Sequence, residues 1–382
     1  MRRTRVGVLA ATLVLVGGVV SAGCSGSVKA RAGPAPGLGS SSSPLPSAAS
    51  STAAPGNPAP TSRPAPSTSD PTGSPAIRWV ALGDSYSAGT GEARSGGCAT
   101  SDASYASQLA ASLGSDASMT SAACSGATTA DVLDRQLAQV TGHTTMVTIT
   151  VGGDDVGFAS IAEQCVLGAC PAWLLDGQPP PAQPGQPAGI APDPGDVTGS
   201  AWAVLSHRLV EVYTRIRTAM DARGDLYVLS YPLAFANPDT WPPLAQLAGC
   251  SFFSPAEAVA ANRFAITLGD TIRAAVDLAN RALTTGTHPR AGNIHFVDWR
   301  NELDVAVKAL DGRTVPVSPT GLCPAPGQSA WLNSVTAQPI NVNALHPTAC
   351  GYWAAAARLA AALSVAPPPS RCAAPPTTGT ST

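Results

Sequence analysis

Apolar and polar positions divide this chain into three regimes. Near the start, residues 6–20 form an apolar run behind Arg2, Arg3 and Arg5. The run is short for a membrane span and has the shape of an export leader, so 1–23 is read as a signal peptide. Residues 24–75 are mostly Ser, Pro, Ala, Thr and Gly, with almost no large apolar side chains. Such a stretch cannot bury enough surface to offset its ordering entropy, and its prolines keep it extended; a disordered linker is predicted. Residues 76–365 are different. Short apolar or β-branched runs predict strands at 77–82, 119–123, 145–151, 226–230 and 294–297. Between and after them, helical periodicity predicts helices at 104–113, 129–140, 202–220, 255–283 and 348–363. Alternating strands and helices imply an α/β domain whose five-stranded parallel sheet is covered on both faces. Residues 171–200 break the rhythm, and within them the Pro/Gly/Gln-rich stretch around 177–199 reads as a surface loop insertion or a lid. The remainder, 366–382, reads as a disordered tail.

The formal net charge of −2 provides no basic field for a polyanion, which argues against nucleic acid as a partner. The chain has nine cysteines. Small residues Ser21, Ala22 and Gly23 lead into Cys24, an approach that resembles the bacterial lipobox, whose cysteine becomes the lipidated N-terminus. Setting Cys24 aside leaves an even set in an exported chain, which reads as disulfides. Sequential pairing is expected: Cys98–Cys124, Cys165–Cys170, Cys250–Cys323 and Cys350–Cys372. Zinc is the rival use of clustered cysteines, but the spacings are not paired C-x-x-C and histidine partners are missing, so no metal is expected.

The candidate chemistry lies at strand ends. The first strand runs out into Gly83-Asp84-Ser85, a turn that lets the Ser85 hydroxyl project beyond the sheet edge and turns its N–H toward a bound anion. His346 precedes Pro347 at the entry of the last helix, on a loop from which an imidazole can reach a neighbouring serine. A serine hydroxyl needs such a base to attack an acyl carbon at neutral pH.

Four segments in this order, 83–87 (Gly-Asp-Ser-Tyr-Ser), 124–129 (Cys-Ser-Gly-Ala-Thr-Thr), 151–158 (Val-Gly-Gly-Asp-Asp-Val-Gly-Phe) and His346-Pro347 with Gly351, resemble the conserved blocks of SGNH (GDSL-like) hydrolases. The nearest likeness is to secreted actinobacterial lipases and esterases, which 321–323 and Trp331-Leu332-Asn333 also resemble. The resemblance implies a flavodoxin-like three-layer sandwich and ester hydrolysis through a seryl intermediate. It implies Ser85 as nucleophile, His346 as base, and an oxyanion hole made by the N–H groups of Ser85 and Gly126 and the side chain at 154. No cofactor is called for, because nucleophile and base are protein groups. The implied substrate is a small-molecule, lipid or glycan ester. The implied protein is a monomer, either held by its N-terminal lipid on the outer membrane face or secreted.

Two positions depart from the family pattern. Asp154 stands where the family has Asn, and an ionised carboxylate accepts hydrogen bonds but cannot donate them. Asn343 stands where the family usually has Asp, so His346 is expected to be oriented by the Asn343 backbone carbonyl or side-chain oxygen. These exchanges motivate an alternative, a catalytically weak envelope-associated binding protein that keeps the fold. Asp84 and Asp155 are expected to be structural acceptors for loop N–H groups. Trp241, Phe252 and Phe253 are expected to pack rather than line an acyl pocket, and Tyr231-Pro232 reads as a turn and a wall.

Overall fold

The structure is a computed structural model that describes residues 76–93, 96–181, 201–241, 252–285, 293–300, 305–308, 314–317, 320–324, 329–335, 343–370 and 372. The export leader, Cys24 and the linker lie outside the described residues, as do 182–200 of the expected insertion and Cys250. Among the described residues, no helix is long and apolar enough to cross a membrane.

Five strands form one parallel sheet: β1 (Ile77–Gly83), β2 (Ala117–Ser121), β3 (Met146–Thr150), β4 (Asp225–Leu229) and β5 (Ile294–Val297). Their order is β2-β1-β3-β4-β5, the flavodoxin-like arrangement. The central strands read as continuous apolar runs because both faces are covered; every residue of β3 is buried, as are the last five of β1. Strand β2 is an edge and largely exposed. It starts two residues before the expected position, but pairing with β1 continues past its end, through Ala122 N–H to Ala81 O at 2.8 Å and Cys124 N–H to Gly83 O at 2.9 Å.

The crossovers that parallel strands require put helices on both faces. Helices α2 (Tyr105–Leu113) and α8 (Ala349–Leu363) pack together on one side, and α6 (Ala201–Ala219) packs on α7 (Pro255–Thr285) on the other. Trp79, Leu82, Tyr105, Leu109, Ile149, Leu205, Leu209, Tyr213 and Tyr352 are essentially fully buried between these layers. The short helices are α1 (Ser85–Ala88), α3 (Thr129–Asp131), α4 (Phe158–Val166) and α5 (Ala172–Leu175).

The helix expected over 129–140 is not regular. After α3 it widens to a π turn at Val132–Gln136 and tightens to a 3₁₀ turn at Leu137–Gln139. Single π turns inside helices recur where a side chain has to be placed for a task. Here the turn carries buried Gln136, whose Oε1 accepts from Gly83 N–H at 2.7 Å while its Nε2 donates to Gly83 O at 2.9 Å. The last residue of β1 is thus clamped from outside the sheet. Gly83 itself has φ +118°, and a Cβ there would sit 2.1 Å from Thr150 O, so only glycine fits.

The structure adds elements to those expected, α4 among them. Helix α5 lies within 171–200, just ahead of the stretch read as an inserted loop. An antiparallel pair, β6 (Val305–Lys308) and β7 (Thr314–Val317), follows β5. Past residue 365, Trp353 Nε1 donates to Pro368 O at 2.9 Å, and the expected Cys350–Cys372 disulfide ties this segment to α8. Cys98–Cys124 and Cys165–Cys170 are also bonded. Cys323 is disulfide-bonded as well.

Candidate active site

In a sheet of this order the connections reverse direction between β1 and β3, and that switch point leaves a crevice beyond the C-terminal strand ends. Asp84 and Ser85 leave β1 there, and Gly152, Gly153 and Asp154 leave β3 beside them. Asp84 caps α1: its Oδ1 accepts from Tyr86 N–H at 3.0 Å and from the Thr150 hydroxyl at 2.8 Å. Its Oδ2 accepts from the Tyr231 hydroxyl, which in turn accepts from Gly153 N–H at 3.0 Å. The Asp84 carboxylate therefore links the exits of β1, β3 and β4. Burial, helped by the nearby charge of Asp154, raises its pKa to about 7 despite these three donors.

His346 arrives from the other end of the chain. Its Nε2 lies 2.8 Å from Ser85 Oγ, across 261 positions of sequence. The His346 loop is held by an antiparallel bridge between Leu332 and Pro347 and by Asn333. Asn333 exchanges backbone bonds with this loop, its N–H donating to His346 O at 2.8 Å and its carbonyl accepting from Leu345 N–H at 3.0 Å. Its side-chain Nδ2 reaches the carbonyls of Gly91, His346 and Pro347 at 3.1–3.2 Å. The Tyr86 hydroxyl donates to Leu345 O at 2.8 Å, and the Tyr86 ring lies beside the imidazole. These restraints hold Leu345 at φ +64°, an unusual value for a leucine. Gly91 allows the loop to come this close, since a Cβ there would sit 2.6 Å from Pro347 O.

Ser85, His346, Gly126 and Asp154 line one cavity of ≈ 400 Å³, with Phe158, Ala162, Val166 and Val335 on its apolar side. Gly126 holds φ +82°, which favours glycine whatever the space around it. Asp154 is pushed up from 3.8 to about 6, first by burial and then by the negative charges of Asp155 and Asp131. Asp155 turns away and accepts from Thr129 N–H at 2.9 Å and the Thr129 hydroxyl at 2.5 Å, with Arg208 at 3.7 Å. Asn343 is close in sequence and space: its carbonyl accepts the His346 backbone N–H at 3.1 Å.

Phe253 lines a smaller apolar cavity with Phe235 and Phe264; this cavity shares Phe158, Ala162 and Leu345 with the first. Trp241 packs on Phe235 and donates to Ala236 O. Among the described residues, no group of three His, Cys, Asp or Glu is placed to hold a metal ion.

Sequence reasoning gave no role to Gln136, Tyr86 or Asn333. The only signal for Asn333 was its place in the Trp-Leu-Asn segment; that it faces His346-Pro347 is visible only in the fold.

A hydroxyl in hydrogen-bond reach of an imidazole, at the switch point of a 2-1-3-4-5 sheet, is the arrangement of an SGNH-type hydrolase. The chain belongs to the GDSL-like lipase/acylhydrolase family, whose model matches residues 81–354, and it is accordingly an ester hydrolase. A lipase of Streptomyces rimosus is 31% identical over 284 residues, covering 72% of this chain and 82% of the lipase. Among solved structures, phospholipase A1 of Streptomyces albidoflavus NA297 superposes with a TM-score of 0.53 at 26% identity, covering 75% of this chain and 98% of that one. The extracellular lipase of Streptomyces rimosus superposes with a TM-score of 0.52 at 28% identity, covering 75% and 99%.

Proposed function

We propose that this protein is an exported serine esterase or lipase working through a Ser85–His346 pair, tethered outside the membrane through Cys24. The observation that carries the reading is the 2.8 Å contact between Ser85 Oγ and His346 Nε2 inside the shared cavity. That distance suits proton transfer from the hydroxyl to the ring. As Ser85 Oγ attacks the ester carbon, His346 takes its proton. The developing oxyanion is met by the N–H groups of Ser85 and Gly126 and by the carboxyl of Asp154 in its protonated form. His346 then gives the proton to the leaving alcohol, and water attacks the acyl-serine with the same base. Asn343 orients the imidazole, while Asn333 and Tyr86 hold its loop.

The apolar side of the cavity favours an acyl group with hydrocarbon character, and the similar phospholipase A1 and lipase structures make lipid esters the first substrates to try. Export is supported by the apolar run at 6–20 behind three arginines, by the disulfides, and by the likeness to a lipase described as extracellular.

The test is labelling with a fluorophosphonate probe alongside hydrolysis of esters of graded chain length. Labelling and turnover should both vanish in Ser85→Ala and collapse in His346→Ala. If the protein resists the probe and turns over no ester while binding acyl compounds, the alternative of a catalytically weak binding protein takes its place. That alternative draws on Asp154, whose ionised form would oppose an oxyanion.

A further inference from the structure

Residues 165–175 read Cys-Val-Leu-Gly-Ala-Cys-Pro-Ala-Trp-Leu-Leu, without a charged, hydroxyl or amide side chain. They form the end of α4, a turn closed by the Cys165–Cys170 disulfide, and α5. Val166 and Glu163, on the last turns of α4, line the Ser85 cavity, so this segment is part of its rim. Three large hydrophobic side chains are prominently exposed among the described residues, and two are here: Leu167 at 67% and Leu175 at 41%. Isolated exposed leucines need no explanation, but two on a charge-free tip beside a catalytic cavity mark an interaction site.

Backbone bonding says what kind of surface the tip fits. Entering a hydrocarbon phase is costly for any unpaired N–H. In this tip most N–H groups are already spent internally: Leu167, Gly168 and Ala169 donate to the carbonyls of Glu163, Cys165 and Gln164, and Leu174, Leu175 and Asp176 donate back to Pro171 and Ala172. The tip thus offers apolar side chains on a largely self-bonded backbone, Leu167 within the disulfide-closed turn and Leu175 on the short helix that follows it. The flanking charges, Glu163 and Asp176, sit at its base rather than in it. With no cation in the segment, adsorption would be hydrophobic rather than electrostatic.

We infer that the tip at 165–175, the disulfide-closed turn together with α5, inserts Leu167 and Leu175 into a lipid surface and seats the mouth of the Ser85 cavity against it. The bearing on rate rests on the esterase reading above; binding to the surface does not.

The experiment separates the two. The chain from residue 24 onward, without the apolar leader, carrying Cys24→Ser so that no lipid is attached and Ser85→Ala so that no ester is consumed, is sedimented with neutral phosphatidylcholine vesicles. Adding Leu167→Ser and Leu175→Ser should lower partitioning about 10–100-fold, while Leu278→Ser, at the third exposed leucine on α7, should not. Partitioning should persist at high salt. With Ser85 restored, the double variant should keep its kcat/KM on a dissolved short-chain ester and lose rate only on vesicle-borne ester. Unchanged partitioning in the double variant, an equal loss in Leu278→Ser, binding only to anionic vesicles at low salt, or an equal fall on dissolved ester would each overturn the inference. Should Ser85→Ala fail to abolish hydrolysis, the esterase reading fails while the docking result stands.

Discussion

Replacing Asp154 by Asn should make this enzyme faster at neutral pH. The carboxyl has its pKa raised to about 6 by burial and by the charges of Asp155 and Asp131. Other groups around it are Asp84 on the β1 exit, Glu163 on α4, His346 on its loop, and Arg208, which pairs with Asp155. With that pKa, about one carboxyl in ten is protonated at pH 7, and about one in a hundred at pH 8. Only the protonated form can donate to an oxyanion, and losing one such donor costs about 2.7–4 kcal/mol, a factor of about 100 or more. If Asp154 donates, the wild-type protein works through its protonated minority. An Asn side chain donates at every pH.

The ratio of kcat/KM, Asp154→Asn over wild type, should therefore be near 1 at pH 5, about 2 at pH 6 and about 10 at pH 7. It should approach about 100 at pH 8, where residual catalysis by the ionised form levels it off. The ratio is taken at each pH with a dissolved short-chain ester. A flat ratio near 1 would mean the side chain at 154 does not donate. A ratio well below 1 at every pH would mean the carboxylate itself is required; either result refutes the reasoning.

The other predictions concern the supports of the pair. Asn333→Ala removes a donor that can serve two of three carbonyls at once and should cost about 1–3 kcal/mol of loop stability. Its signature is a fall in kcat with little change in KM and an unaltered pH profile; a lowered melting temperature with intact kcat would make Asn333 merely structural. Asn343→Ala keeps the backbone carbonyl and should retain most activity in the same assay, whereas collapse would assign the orienting role to the side-chain oxygen. Asp84 is raised from 3.8 to about 7 in the fold. Its contribution is thus fully present below about pH 4 and lost as pH rises through about 7, on the order of 4 kcal/mol. Urea midpoints should accordingly fall between pH 5 and pH 8, and Asp84→Asn should flatten most of that fall.

Much of the architecture was legible as pattern. The apolar runs that form β1, β3 and β4 are close to continuous because both sheet faces are covered, so composition and length place them within a residue or two. The end of each run also marks a sheet edge, which is why Asp84-Ser85 and Gly152-Gly153-Asp154 could be read as neighbours of a crevice. The helical periodicity of 129–140 is realised, but its π and 3₁₀ turns are not legible, because nothing local shows that Gln136 has to reach Gly83. Helix α5, only four residues long, was hidden by the Pro- and Gly-rich residues that follow it.

What the chain determines by itself is whatever depends on neighbours in sequence: strand and helix positions, the turn that exposes Ser85, and a histidine ahead of a helix. Only the tertiary structure decided how far Ser85 lies from His346, which carbonyls Asn333 serves, how high burial pushes Asp154, and that two leucines stay in solvent beside the cavity. Hydrogen-bond reach, desolvation and exposure are set by groups that fold together from distant parts of the chain. Each falls off within a few ångströms, a distance that separation along the sequence does not encode.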